Sequence, residues 1–117
     1  MTTVTFLKSG ETFWGFQSCG HTGYAEAGSD ILCAAISSMS TLVVNAIESA
    51  FEAPLVYRAD EEKPCLTVSV PALVRGGLTE SVRFAVSRLI EAYRRQLIEL
   101  AGDYPDYVRV ECSSKDP

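Results

Sequence analysis

The chain is poor in histidine, tryptophan and methionine, with one, one and two of them in 117 residues. A single His removes the multi-histidine metal sites. Cys19, Cys33, Cys65 and Cys112 stand far apart with no close paired spacing, so zinc lacks a ligand set and no metal or other cofactor is expected. Basic residues are also few: 10 Lys and Arg against 15 Asp and Glu give a net charge of -5. That balance excludes the clustered cationic surface with which a general nucleic-acid binder neutralises phosphate. No stretch approaches the ~20 consecutive apolar residues of a membrane span, and MTTVTFLKSG lacks the apolar core of a secretory signal. The expectation is a cytoplasmic protein with no membrane partner, its four cysteines present as thiols.

What is there has the makings of one domain over residues 1–117. Hydrophobic residues make up 47% and charged residues 21%, ordinary values for a globular chain. Residues 2–8 alternate Val4 and Phe6 against Thr3 and Thr5, the period of a half-buried strand, and residues 12–19 resume after a Ser9-Gly10-Glu11 turn. Residues 20–28 hold Gly20, Gly23 and Gly28 and keep no period, which reads as a mobile loop. Ser29 or Asp30 is positioned to cap a helix whose apolar residues run from Ile31 to Ala50, ending before Pro54. Its apolar arc is wide, which predicts a largely buried helix, set against the sheet and a second chain.

Residues 55–60 and 65–70 read as two further strands. Thr79 caps a second helix with Val82, Val86, Leu89, Tyr93, Leu97 and Leu100 on one side, and Arg83, Glu91, Arg94 and Arg95 on the other. That helix is expected to stop at Gly102 in an αL cap. Residues 107–112 read as a last strand, followed by a frayed SSKDP tail. The order ββαββαβ predicts an α+β fold, a two-layer sandwich of one sheet and two helices.

The chemistry gathers at the first helix. Within its first turn Cys33 would meet unpaired N–H groups and the positive end of the macrodipole, both favouring a thiolate. Equally, Cys33 suits a small buried hydrophobe on an apolar helix. His21 stands at the start of the glycine-rich loop, either as base to that thiol or as an exposed loop residue. Asp30 either orients His21 or caps the helix, and Ser37, one turn past Cys33, either lines a substrate site or permits close packing.

Residues 15–40, GFQSCGHTGYAEAGSDILCAAISSMS, resemble the signature of the ribosomal-processing cysteine protease Prp family. Gly20-His21 matches that family's Gly-His pair. Gly28, Asp30, Ile31, Cys33, Ala34, Ala35, Ile36 and Ser37 match its Gly-x-Asp-Ile-x-Cys-Ala-Ala-[Val/Ile]-Ser run. Tyr104-Pro105-Asp106-Tyr107-Val108 resembles the family's Tyr-Pro-x-Tyr-Val before its last strand. Thr22 departs from the pattern, standing where the family most often has Ala.

The resemblance implies a homodimeric cytoplasmic endopeptidase that removes a short N-terminal extension from large-subunit ribosomal protein twenty-seven after a paired-Phe segment. It implies His21 and Cys33 as the catalytic dyad and a loop between them that moves when peptide binds; Gly20, Asp30 and Ser37 are the candidate substrate-binding residues beside it. Two alternatives come from other classes: a thiol redox sensor with Cys19 as the resolving partner of Cys33, and a non-catalytic ribosome-associated binding protein.

Overall fold

The computed structural model describes residues 1–20, 31–60 and 62–117. The alternating N-terminal residues form the expected hairpin, β1 (Thr2–Ser9) and β2 (Thr12–Gly20), turning at Gly10 with φ 58°. A register shift between Leu7 and Lys8 places two residues of β2 against one of β1. The consecutive Phe13 and Trp14 are both buried there, which strict alternation would forbid.

Next come helix α1 (Ile31–Asn45), continued by one π-helical turn (Ala46–Ala50), and strands β3 (Val56–Ala59) and β4 (Cys65–Ser69). A short helix α2 (Ala72–Arg75), the long helix α3 (Glu80–Asp103) and strand β5 (Val108–Ser114) complete the order. The five strands make one mixed sheet, β3-β4-β2-β1-β5, antiparallel except for the parallel β1–β5 pair. Gly15 lets β2 approach β4: a Cβ there would lie 2.6 Å from the Val68 carbonyl oxygen.

Val4, Phe6, Phe16, Val68 and Val108 point from one sheet face into the core and meet Leu32, Ile36, Val43 and Ile47 of α1 with Val86, Ile90, Tyr93 and Leu97 of α3. Phe6, Phe16 and Tyr93 pack as an aromatic triad with ring centres 4.9–5.9 Å apart. The other sheet face carries Thr3, Thr5, Gln17, Thr67, Arg109 and Glu111, and no helix among the described residues covers it. The α+β two-layer sandwich is as expected. Thr79 caps α3, its hydroxyl accepting from the Val82 N–H at 3.3 Å.

Six expectations are corrected. Ile31–Ala50 is long and apolar enough, by length and composition, to cross a membrane; here it packs on the sheet through its core face. Within the single chain that helix is not largely buried, since Ile31 is 62% and Leu42 66% exposed. The α3 helix runs through Gly102 to Asp103 and ends at Tyr104 without an αL glycine. Arg94 is not on a solvated face: its guanidinium lies 4.8 Å from the Phe13 ring centre, and the apolar stem is half buried.

The tail is not frayed at its start, because β5 continues to Ser114. The Lys115 N–H donates to the Lys8 carbonyl at 2.9 Å, and the Lys115 carbonyl accepts from Trp14 Nε1 at 2.9 Å. Finally, the cysteines are not all thiols: Cys19 and Cys65, directly opposite on β2 and β4, form a disulfide. Cys19 closes the end of its strand on the open sheet face rather than in the core.

Candidate active site

Cys33 is the third residue of α1, and the residues that share its helical face follow at spacings of three and four: Ser37, Ser40, Thr41 and Val44. This face overlooks the ends of β1, β2 and β4, and between them opens a cavity of about 620 Å³. Small polar groups surround the thiol, with Thr2, Ser18, Ser37 and Ser40 on the lining, while Ile36, Val44, Tyr57 and Leu66 supply an apolar side. Asp60 and Lys63, from the β3–β4 connection, stand at the same cavity.

Cys33 is half buried there, whereas Ser37 is exposed. The Gly20 N–H donates to the Pro64 carbonyl at 2.8 Å, which ties the end of β2 to the β3–β4 connection. Gly20 has φ +90°, and a Cβ there would collide with the Met1 carbonyl, so only glycine fits without strain. Ser40 Oγ lies 2.6 Å from Tyr93 Oη, fixing the middle of α1 to α3. Burial raises the Tyr93 pKa, and the hydrogen bond with Ser40 partly offsets it. The Thr2 hydroxyl, on a residue only 3% exposed, has no hydrogen-bond partner among the described residues. Thr2 also lines the cavity, and a buried hydroxyl without a partner marks that stretch of its wall.

The structure therefore brings Cys33, Ser37 and Gly20 to one cavity. His21, Gly28 and Asp30, with the expected loop and helix cap, lie outside the described residues. Sequence reasoning missed Thr2, Ser18, Ser40, Thr41 and the β4 contribution. The three-and-four spacing onward from Cys33 carried the signal for Ser40, Thr41 and Val44; nothing local carried it for Thr2 or Leu66. Among the described residues no three His, Cys, Asp or Glu side chains cluster as a metal site would require. Cys19 is bonded to Cys65 here, and not to Cys33, the partner the redox-sensor alternative assigns it.

A thiol on the wall of a mainly apolar cleft in an α+β sandwich suits a cysteine hydrolase with room for a chain segment. The family model described as cysteine protease Prp matches residues 1–109, and the chain belongs to that family. No curated protein matches it. Among solved structures, SMU.848 from Streptococcus mutans is similar at 26% identity and a TM-score of 0.79, over 98% of this chain and 96% of that one. The ribosomal processing protease Prp from S. aureus, in complex with a covalently linked product peptide, shares the fold at 18% identity and a TM-score of 0.80. The match covers 97% of this chain and all of that one (100%). The same S. aureus protease with a substrate peptide gives a TM-score of 0.75 at 18% identity, again over 97% of this chain and 100% of that one.

Proposed function

We propose that this cysteine protease is a cytoplasmic, homodimeric processing enzyme that removes the N-terminal extension of large-subunit ribosomal protein twenty-seven. The observation that carries the reading is Cys33 on the wall of a cavity of about 620 Å³, in a chain of the Prp family. The Cys33 thiolate attacks the scissile carbonyl carbon, and the carbonyl π pair becomes the oxyanion. His21 holds the proton from the thiol and delivers it to the leaving amine, after which water hydrolyses the acyl-enzyme. Backbone N–H groups near the start of α1 are suited to receive the oxyanion. The apolar side of the cavity, Ile36, Val44, Tyr57 and Leu66, suits the paired-Phe segment of the extension.

Support for the dimer comes from α1, which leaves Ile31 and Leu42 more than half exposed on a helix whose other face fills the core. The deciding assay uses a peptide spanning the extension. Wild-type protein should cleave it once, after the paired-Phe segment, and Cys33→Ala should bind it without cleavage. Cleavage by the Cys33→Ala protein at the wild-type rate would refute the assignment of the nucleophile.

A further inference from the structure

The Cys19–Cys65 disulfide has no part in the chemistry above, yet it borders the cavity where that chemistry is placed. Its two strands meet there in an antiparallel ladder, of which Cys19↔Cys65 is the terminal pair. Terminal pairs are where a ladder opens most readily, so a covalent bond at this pair holds what would otherwise fray. The residues it holds are the cavity wall: Ser18, Gly20, Lys63, Pro64, Cys65 and Leu66 all line the space that Cys33 faces.

The bond itself is approached from the other side of the sheet. Cys19 and Cys65 are only half buried and line a second, shallow hollow of about 520 Å³ on the sheet face that bears Thr3 and Thr5, beside Gln17, Arg58, Lys63 and Thr67. Among the described residues its charged groups are Arg58, Lys63 and Asp60, two cations to one carboxylate. The Asp60 carboxylate is itself engaged by the N–H groups of Glu62 and Lys63 at 2.9 and 3.2 Å. Cations beside a disulfide attract an incoming thiolate and stabilise the departing one.

We propose that Cys19–Cys65 is a thiol–disulfide exchange site, served by a dithiol reductant, which sets the peptide affinity of the cavity holding Cys33. The proposal rests on the peptidase reading of that cavity. A thiolate of the dithiol attacks one sulfur of the pair, forming a mixed disulfide and expelling the other sulfur as thiolate. The second thiol of the reductant then attacks the mixed disulfide and closes its own ring. Two electrons and two protons pass from the dithiol to Cys19 and Cys65, and the reductant leaves as a disulfide. The oxidised pair keeps the wall in its binding form, and the reduced pair lets the ends of β2 and β4 separate.

The test equilibrates the protein with reduced and oxidised dithiothreitol in graded ratios, alkylates it in acid and maps the cysteines by mass. Cys19 and Cys65 should convert together in a single two-electron step while Cys33 and Cys112 are alkylated throughout. In the Cys33→Ala background, a labelled extension peptide should bind several-fold more weakly to the reduced form. The Cys19→Ser/Cys65→Ser protein should bind with that weakened affinity at every ratio. Equal affinity in both states overturns the proposal, as does a pair that never oxidises or a bond mapped between Cys33 and either partner. Peptide that binds neither state refutes the peptidase reading instead. Hydrogen exchange of residues 15–20 and 64–69 then decides the exchange site, which is overturned by equal protection in the two redox states.

Discussion

Ser40 and Tyr93 share a buried hydrogen bond of 2.6 Å between hydroxyls 53 residues apart. It joins the helix that carries Cys33 to the helix that closes the core, and Tyr93 also completes the aromatic triad with Phe6 and Phe16. Deleting one hydroxyl leaves the other buried without a partner. Ser40→Ala and Tyr93→Phe should each cost roughly 1–3 kcal/mol, and the double variant less than their sum. Urea denaturation of the four proteins gives the cycle.

The buried Tyr93 hydroxyl also has a pH signature. Burial raises the pKa of Tyr93 above its ordinary 10.0, so the folded state holds this proton more tightly than the unfolded chain. Its contribution to stability is complete below about pH 10 and is lost as pH rises from there through the folded-state pKa. Tyr93→Phe should flatten that alkaline decline. An unchanged decline in the variant would assign it to other groups.

Trp14 is the chain's one tryptophan and therefore a clean optical probe of the C-terminal tail. Removing residues 115–117 deletes the carbonyl that accepts from its indole N–H and the N–H that Lys115 gives to Lys8. Emission should shift to the red, with a loss of about 1–2 kcal/mol in stability. Unshifted emission would mean that water or another carbonyl replaces the contact.

Thr2 offers a separation of stability from binding. Its hydroxyl is buried and unpaired among the described residues, so Thr2→Val removes a desolvated polar group with little change in shape. Thermal stability should hold or rise while affinity for the extension peptide falls several-fold, and Thr2→Ser should restore affinity. Wild-type affinity in Thr2→Val would exclude the hydroxyl from the site.

Leu42, 66% exposed in the monomer, tests the proposed dimer. Wild-type protein should sediment at about twice 12.7 kDa, and Leu42→Lys at the single value with its fold intact. A monomeric wild type at micromolar concentration would remove the dimer from the reading.

Alternation and helical spacing suffice to place the hairpin, α1, α3 and the three later strands, because each carries its own period over several residues. They do not place α2, whose four residues after Pro71 are too few for a period, nor the consecutive burial of Phe13 and Trp14, which a bulge produces. The site divides in the same way. Cys33 and Ser37 are legible because one helix carries both. The Cys19–Cys65 bond and the approach of Thr2 are not, since they depend on how β2 registers against β4 and β1, across 46 residues in the case of the disulfide.

Strand β1 lies inside the sheet, with β2 on one side and the last strand, β5, on the other in parallel. During synthesis the first strand can pair with β2 at once, but its second edge stays bare until residues 108–114 have been made. Until then the nascent chain carries an open β edge, which is the form most prone to join a neighbour.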